Sequence, residues 1–277
     1  MKQDKSTEIV IDWADGTSIR MSAAQLYDLV FESNNKWMLS ANGTLFTYEF
    51  EAIIPGLLKR WYAERKEMQR KMQQSGSNEI ERAYWDKRQL VKKINLNSLY
   101  GAILNPGCRF FDIRIGQSVT LTGRCITKHM GAKVNEIIAG KYDHVGESII
   151  YGDTDSVYFT AHKTLQNDIN ESKISWNKES VIALYDKIAE EMNTSFTGFM
   201  TKAFHCPHTR GSVIRAGREL VASKGLFITK KRYAVLIYDL EGNRQDVSGG
   251  QVAFTSMVVC ARDRGPRGAS RRHVSGV

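Results

Sequence analysis

The stretch Glu147–Phe159 constrains the fold of this chain more than any other part of the sequence. Two short apolar runs, 149–151 and 157–159, flank a polar centre of sequence Gly-Asp-Thr-Asp-Ser. Runs of β-branched and aromatic residues on both sides of a short segment with Gly and Asp predict a β-hairpin. Side chains at positions i and i+2 of an extended backbone point to the same side, so we expect Asp153 and Asp155 to project together from its tip.

This pair of carboxylates indicates a cation site. Two like charges so close repel each other unless a cation lies between them. Carboxylate oxygens suit Mg²⁺, which keeps several waters and completes its shell with substrate phosphates. Asp153 and Asp155 are therefore candidate catalytic residues and metal ligands, with Mg²⁺ as the cofactor of a phosphoryl transfer. On this stretch alone an ordinary acidic turn explains the two residues equally well, since Asp is common in turns.

Positive charge is concentrated in two segments. The 277 residues carry a formal net charge of +9, with eleven Lys or Arg against five Asp or Glu in residues 59–93 and five Arg against one Asp in residues 262–277. The first segment indicates a polyanionic or nucleotide partner, although a solvated helix face is the alternative. No apolar run approaches the length of a membrane span and the N-terminus does not resemble a signal peptide, so we expect no membrane partner.

The pattern of helices and strands predicts an α+β fold with an antiparallel sheet. A helical pattern begins at Pro55, is broken at 75–78 and resumes from about Glu79 to Leu99, which predicts a helical hairpin that carries most of the positive charge. Further helices are expected at about 117–139 and 178–204, and strands at 213–221, 226–229 and 233–238. Residues 262–272 lack apolar periodicity and we expect them to be disordered, either as a nucleic-acid-binding tail or as a truncated or out-of-frame gene end.

One face of the second helix offers groups that suit a nucleoside triphosphate. At 3.6 residues per turn, Lys93, Asn97 and Tyr100 fall on the same side, and Arg65 on the preceding helix adds a cation for phosphates. A cation, an amide and an aromatic ring that face two carboxylates suit a triphosphate and its Mg²⁺. The alternative is that the amide and the ring only cap and pack the helix end.

These motifs together resemble those of a known family. Lys93-x-x-x-Asn97-Ser98-x-Tyr100-Gly101, followed by the stretch Tyr151–Ser156, resembles motifs B and C of the family B DNA polymerases, and Lys230-Lys-Arg-Tyr233 resembles their basic-aromatic motif near the primer–template. Residues 42–67 and 109–114 are most similar to the T-even-type bacteriophage replicative polymerases. The likeness covers residues 38–245.

The resemblance implies a helical-hairpin fingers domain on a palm with an antiparallel sheet, and an incomplete thumb. The residues of 1–40 predict an N-terminal hairpin and a short helix, which would connect palm and fingers. The resemblance implies fingers with motif B at 41–102, palm with motif C at 103–247, and a truncated thumb start or disordered basic tail at 248–277. The implied site residues are the catalytic metal ligands Asp153 and Asp155, the nucleotide-binding Arg65, Lys93, Asn97 and Tyr100, the DNA-binding Lys230, Lys231, Arg232 and Tyr233, and the auxiliary acidic Glu219.

The implied reaction is the attack of a primer 3′-hydroxyl on the α-phosphate of a deoxynucleoside triphosphate, with two Mg²⁺ ions. The family's motif A is missing from this sequence, so we expect the chain to be inactive alone. The expected partners are primer–template DNA, dNTPs, a second polypeptide with motif A and the exonuclease domain, and a sliding clamp, in the cytoplasm of an infected bacterial cell. A non-catalytic nucleic-acid-binding subunit and a non-functional gene fragment are the alternatives.

Overall fold

The computed structural model describes residues 5–33, 36–153, 155–229, 231–240, 242–244 and 254–258. The fold is α+β, as the sequence predicts, with four long helices and small antiparallel sheets. The helices are α1 (Ala23–Tyr27), α2 (Ile53–Gln74), α3 (Glu79–Ile103), α4 (Ile113–Ala139), α5 (Gln166–Asn170), α6 (Lys178–Phe204) and α7 (His208–Gly211), and a π-helical turn Asp28–Glu32 follows α1. The strands are β1 (Glu8–Asp12), β2 (Ser18–Ser22), β3 (Trp37–Leu39), β4 (Leu45–Thr47), β5 (Ile149–Asp153), β6 (Ser156–Phe159), β7 (Leu220–Thr229), β8 (Arg232–Leu240), β9 (Asn243–Arg244) and β10 (Phe254–Val258).

Side-chain caps explain where the long helices begin. Asn78, Asp112 and Asn177 precede α3, α4 and α6, and the side chain of each accepts a hydrogen bond from a backbone amide of the first turn. Such caps satisfy amides that have no partner within the helix. At the other end, Gly140 closes α4 with a positive φ of 72°. The predicted helix at 117–139 therefore starts four residues earlier than expected, after the cap at Asp112.

The main core lies between α4 and α6. Val134 of α4 and Ile188, Met192 and Phe196 of α6 are all buried, with Phe196 only 1% exposed. Partly buried side chains from β5 and β6 pack against this cluster, among them Ile149 and Phe159. The two helices thus form a layer beneath the strands, and this layer supports the hairpin that carries the carboxylates.

The helical hairpin, α2 and α3, is joined by polar contacts between its helices. Lys92 forms an ion pair with Glu64, and the Arg65 Nε donates to the Gln89 side chain over 3.2 Å. None of the residues of α2 is buried, and Ile103 is the buried residue of α3. The helical hairpin therefore projects from the layered part of the fold and joins it at the C-terminal end of α3.

The strands form four antiparallel sheets in the described part of the chain. Three are two-stranded: β1 with β2, β3 with β4, and β5 with β6. The fourth has the order β10-β8-β7, and β9 pairs with the end of β8. The predicted strands at 226–229 and 233–238 are confirmed, and both are longer than expected.

The predicted strand at 213–221 is wrong for most of its length, because only Leu220 and Val221 belong to β7. The preceding segment follows the surface of α6 instead. The side chain of Asn193 on α6 accepts a hydrogen bond from the amide of Ala216 and donates one to its carbonyl, each over 2.8 Å. These bonds satisfy the backbone amide and carbonyl that would otherwise form hydrogen bonds with a neighbouring strand.

The C-terminal region contains one strand that the sequence analysis did not predict. Residues 254–258 form β10, which pairs antiparallel with residues 232–236 of β8. The Arg-rich segment 262–272, for which we predicted disorder, lies outside the described residues. The domain boundaries and the incomplete thumb stay predictions.

Candidate functional site

The acidic hairpin, β5 and β6, forms where the sequence predicts it. Asp153 pairs with Ser156 across the strands and closes the hairpin. Asp155 is exposed, and Asp153 is half-buried. Position 154 lies outside the described residues. The carboxylates thus lie at the tip of a tight hairpin, where Asp155 is exposed to solvent.

The two carboxylates of the hairpin are the kind of ligand that Mg²⁺ prefers, but they are too few to fill its coordination shell. Carboxylate oxygens are the hard ligands that this ion takes, together with waters and substrate phosphates. In the residues that the structure describes, no group of three or more His, Cys, Asp or Glu side chains is arranged to hold a metal ion. Asp153 and Asp155 would therefore hold Mg²⁺ only together with oxygens from a bound phosphate or a further carboxylate.

A buried amide fixes the start of the acidic hairpin on α4. The Asn135 side chain is 1% exposed; its Oδ1 accepts from the amide of Ser148, and its Nδ2 donates to the carbonyl of Lys141. Gly146 lies against this amide so closely that a Cβ there would be 2.1 Å from the Asn135 Nδ2. The loop before β5 is therefore held to α4 by paired polar groups.

Four aromatic rings join the acidic hairpin to the basic hairpin, which consists of β7 and β8. Tyr151 and Tyr158 lie on the acidic hairpin, Phe227 and Tyr233 on the basic one, and the ring centroids across the junction are 5.2–5.8 Å apart. The hydroxyls of Tyr158 and Tyr233 are 2.9 Å apart. Burial, followed by this hydrogen bond, raises the pKa of Tyr158 well above the ordinary value for a phenol, so the group stays neutral.

Lys231 occupies the turn of the basic hairpin and contacts the acidic one directly. Its amide donates to the hydroxyl of Tyr151 over 2.8 Å, and its φ of 61° lies in the left-handed region. Thr229 pairs with Arg232 across β7 and β8, so Lys231 lies in the connection between the two strands. Lys230, also predicted to bind DNA, lies outside the described residues. Lys231 and Arg232 are exposed, whereas Tyr233 is half-buried in the ring cluster.

Glu219, the predicted auxiliary acidic residue, lies on the same cavity as Asp155. This cavity has a volume of about 400 Å³ and separates β6 from the start of β7. The neighbouring Arg218 bonds Asp186 of α6 and Asp239 of β8, both at 2.5 Å, and the Asp239 side chain is only 4% exposed. These two bonds fix Arg218, the residue before Glu219, close to the start of β7.

The predicted nucleotide-binding residues lie on the helical hairpin. Lys93 and Asn97 are exposed on α3, and Arg65 is half-buried on α2. The Tyr100 hydroxyl donates to the carbonyl of Gly116 on α4 over 3.1 Å. Helical geometry places Lys93, Asn97 and Tyr100 on one face, as the sequence predicts. Their roles in nucleotide binding stay predictions.

The sequence reasoning missed the residues that hold the two hairpins together. These are Tyr151, Tyr158 and Phe227. It also missed the buried pair Arg218 and Asp239, which joins the segment before β7 to β8. The aromatic residues were recognisable as strand formers on both hairpins. No local signal indicated that strands some 70 residues apart share one ring cluster, because that contact depends on how the hairpins pack on α6.

Comparison with known proteins identifies relatives for most of the chain. A family model described as DNA polymerase family B matches residues 19–253. The DNA-directed DNA polymerase of Escherichia phage RB69 is 32% identical over 166 residues, which are 56% of this chain and 18% of that protein. The DNA-directed DNA polymerase of Enterobacteria phage T4 is 31% identical over 172 residues, which are 56% of this chain and 18% of that protein. The chain thus spans about a fifth of these relatives' length.

Among solved structures, the family B DNA polymerase from the hyperthermophilic archaeon Pyrobaculum calidifontis matches with a TM-score of 0.44 and 22% identity. The match covers 75% of this chain and 22% of that one. In the part of the chain that the structure describes, no helix is long and apolar enough to cross a membrane.

Proposed function

The chain belongs to DNA polymerase family B, and we propose from this membership that it carries part of the nucleotidyl-transfer centre of a DNA-directed DNA polymerase. The observation that supports this most strongly is the bond between Lys231 and Tyr151. It joins the acidic hairpin, whose carboxylates suit metal ions, to a turn with exposed basic residues that suit a phosphate backbone. A reacting primer end needs both kinds of group within reach.

The proposed roles follow the chemistry of each group. Lys93 and Arg65 neutralise the triphosphate, Asn97 donates and accepts hydrogen bonds on the same face, and the Tyr100 ring packs beneath the new base pair. Lys231 holds the primer backbone by charge, without reading sequence. In this proposal the helical hairpin within 41–102 serves as fingers, and 103–247 serves as palm.

The carboxylates Asp153 and Asp155 form the metal-binding side of the centre, and Glu219 is an auxiliary acid. Two Mg²⁺ ions, when bound, would stabilise the attacking 3′-oxygen and the leaving pyrophosphate. We propose that one more aspartate, from a motif A outside this sequence, completes the ligand set, and that a second polypeptide supplies it with the exonuclease domain. The chain alone is then inactive, and it works with a sliding clamp in the cytoplasm of an infected bacterial cell.

Complementation tests this proposal. The purified chain is assayed for dNTP incorporation on a primer–template, alone and with a polypeptide that carries motif A of a related polymerase. We expect incorporation only from the pair. Asp155→Ala should lower its rate at least about a hundredfold, the scale on which loss of transition-state charge stabilisation acts. Glu147→Ala, at an exposed residue before the same hairpin, is the matched control and should keep the rate. Rapid incorporation by the chain alone, or an active Asp155→Ala pair, contradicts the proposal.

A non-catalytic nucleic-acid-binding subunit is the second candidate. It is supported by the exposed Lys231 and Arg232 of the basic hairpin, which suit a phosphate backbone whether or not metal chemistry takes place beside them. In that case the chain binds primer–template with a steep dependence on salt, because basic side chains displace counterions from the phosphates. Binding would then be indifferent to Mg²⁺ and to Asp155→Ala, and no complementing polypeptide would restore incorporation.

A further inference from the structure

We propose that the outer face of α3, near the tip of the helical hairpin, binds single-stranded DNA. This face, the stacking platform, consists of Ile80, Tyr84, Arg88 and Val91. Unpaired bases stack on its aromatic and apolar side chains, while Arg88 holds a phosphate. The inference goes beyond the proposed function, because the platform is a second contact with nucleic acid, away from the carboxylates and the basic hairpin.

Large apolar side chains on the outer face of α3 are open to solvent. Ile80 is 86% exposed, Tyr84 is 49% exposed and Val91 is 56% exposed. Successive positions of a helix are about 100° apart, so Ile80 and Val91 lie within about 40° of Tyr84 around the axis. The three side chains therefore form one line along the helix, and a flexible chain that follows the helix can contact all of them.

Arg88 borders this line and is available to an anion. It lies about 40° from Tyr84 around the axis. Its Nη1 donates to the Tyr84 hydroxyl over 2.6 Å, and its guanidinium carbon lies 5.4 Å from the centroid of the Tyr84 ring. This bond fixes Arg88 and leaves most of its N–H donors for phosphate oxygens. Arg88 forms no salt bridge with a residue that the structure describes, whereas Lys71 pairs with Glu67.

The acidic residues near the platform face elsewhere or are already bonded. Glu79 and Asp86 lie about 140° and 160° around the helix from Tyr84. Glu81 accepts a hydrogen bond from the Trp85 Nε1 over 3.4 Å. Residues 59–93 as a whole carry eleven Lys or Arg against five Asp or Glu. The charge of this region therefore complements a phosphate backbone.

Contacts with α2 hold the platform in place. The Lys71 Nζ of α2 lies over the ring of the half-buried Trp85, 4.7 Å from its centroid. The Trp85 ring contacts the Tyr84 ring edge to face, with centroids 4.9 Å apart, and the Arg88 guanidinium carbon lies 6.0 Å from the Trp85 centroid. Because Tyr84 and Arg88 are positioned before a strand binds, less side-chain freedom is lost on binding.

The platform is distinct from the face that we propose for the triphosphate. At a rise of about 1.5 Å per residue, about 24 Å along the helix axis separate Tyr84 from Tyr100. Lys93 lies about 180° around the axis from Tyr84. A strand on the platform can therefore bind without contact with Lys93 or Tyr100.

The side chains of the platform favour an unpaired DNA strand over an acidic peptide. An acidic peptide would pair with Arg88 but would leave the exposed Tyr84 ring without a partner. Bases have π-faces that stack on such a ring, and this stacking tolerates any sequence. In duplex DNA the bases already stack on each other, so the platform selects single strands.

Binding of an oligonucleotide tests the platform. The probe is a fluorescein-labelled oligodeoxythymidylate of about 12 nucleotides, titrated with the whole chain in the absence of Mg²⁺ and dNTP and followed by fluorescence anisotropy. Every chain in this experiment carries Lys231→Ala, which weakens binding at the basic hairpin. Tyr84→Ala should weaken binding at least about tenfold, and Tyr84→Phe should restore it, because phenylalanine keeps the ring. Arg88→Ala should lower the salt dependence by about one phosphate contact.

Tyr62→Ala is the matched control. Tyr62 is 52% exposed on α2 and also has a cation, Lys66, over its ring, but it lies outside the platform. We expect this variant to bind the oligonucleotide as its parent does. A second control is an abasic strand of the same length, which has the same charge and no bases. It should bind at least about tenfold more weakly than the oligodeoxythymidylate. Circular dichroism verifies that each variant folds.

Three outcomes overturn the inference: no binding of the oligonucleotide at low salt, equal losses for Tyr84→Ala and Tyr62→Ala, and an abasic strand that binds as tightly as the oligodeoxythymidylate. A polyglutamate peptide that displaces the oligonucleotide as well as the unlabelled strand does would also overturn it, in favour of an acidic protein partner. Because the assay contains no second polypeptide, metal or dNTP, its result is independent of the proposed function. Platform binding with failed complementation removes only the polymerase role, and complementation without platform binding removes only this inference.

Discussion

The hydroxyl of Tyr151 accepts a hydrogen bond from the backbone amide of Lys231 over 2.8 Å, although the two residues are 80 positions apart in the sequence. Two residues after Tyr151, the same strand ends at Asp153, and Lys231 is the turn residue of the basic hairpin. The bond therefore fixes the separation between acidic and basic groups. Its loss should affect DNA binding more than it affects folding.

Tyr151→Phe removes only the hydroxyl and tests this link. We expect the free energy of unfolding to fall by about 1 kcal/mol, the usual net contribution of one hydrogen bond. Primer–template affinity should fall further than this loss explains, because the turn with Lys231 becomes less ordered. Urea unfolding and a DNA titration at fixed salt measure the two effects. Tyr238→Phe, on β8 where the ring contacts Lys178, is the control and should keep the affinity. Equal affinities for Tyr151→Phe and the parent chain would contradict the link.

Two substitutions at Lys231 distinguish the effect of its charge on DNA binding from the effect of its strained backbone on stability. A residue other than glycine with φ near +60° costs about 1 kcal/mol or more, and glycine removes that cost. We therefore expect Lys231→Gly to fold with equal or greater stability, and Lys231→Ala to retain the strain. Both should weaken primer–template binding alike and lower its salt dependence by about one phosphate contact. A Lys231→Gly chain that binds DNA as the parent does would remove Lys231 from the DNA-binding surface.

The pair Arg218 and Asp239 should be a major determinant of stability. The two side chains are 12% and 4% exposed, so removal of the carboxylate leaves a buried guanidinium with one partner fewer. We expect Asp239→Ala to lower the free energy of unfolding by about 3–5 kcal/mol. The other partner of Arg218 is Asp186, and the Asp186 side chain is 48% exposed. Asp186→Ala should therefore lower the free energy of unfolding by about 1 kcal/mol or less. Urea denaturation ranks the two, and equal losses would refute the difference in burial as the cause.

His129 should make the protein less stable in mild acid. Its Nε2 bonds Ser195 Oγ, which itself donates to the carbonyl of Met192, and its Nδ1 bonds the Tyr142 hydroxyl. Burial, followed by the charge of Lys133, lowers the pKa of His129 from its ordinary value of 6.5. The unfolded chain therefore takes up a proton here at a higher pH than the folded chain does.

The resulting stability is fully present above pH 6.5 and is lost as the pH falls through 6.5 towards the lowered pKa of the folded state. We expect His129→Gln to flatten the profile of unfolding free energy in this window. His144→Gln, at an exposed position, should not. Urea unfolding across the window measures both. A parent profile that is already flat would show that His129 does not titrate differently in the two states.

Nucleotide binding should depend on one face of α3. Lys93→Ala and Asn97→Ala should each weaken dNTP binding about tenfold, because each removes a contact to a charged or polar part of the ligand. Lys87→Ala is the matched control. Lys87 lies six residues before Lys93 on the same helix, which places its side chain about 120° around the helix axis from that of Lys93. Equilibrium binding to a fluorescent dNTP in the presence of primer–template measures all three. An equal loss for Lys87→Ala would indicate a diffuse charge effect and no defined site.

Local patterns were sufficient for most of the elements. The helix Lys178–Phe204 has the predicted bounds, and the acidic hairpin lies where two apolar runs around a polar centre predict it. The prediction failed at 213–219, where apolar residues are compatible with a strand. There the Asn193 side chain on α6 forms hydrogen bonds with the backbone amide and carbonyl of Ala216. A single side chain from a distant helix cannot be read from the local sequence.

The sequence by itself determined the elements and the chemistry of their side chains: a hairpin with two carboxylates, a helix face with Lys93 and Asn97, and a basic turn near Lys231. Periodicity and turn residues act over a few positions, so these features are written locally. Only the tertiary structure decided that the two hairpins share one ring cluster, that Arg218 anchors β7, and that a cavity separates β6 from β7. These depend on packing over α4 and α6, where contacts join residues far apart in the chain. The acidic hairpin is therefore a local feature, while its neighbours are a property of the fold.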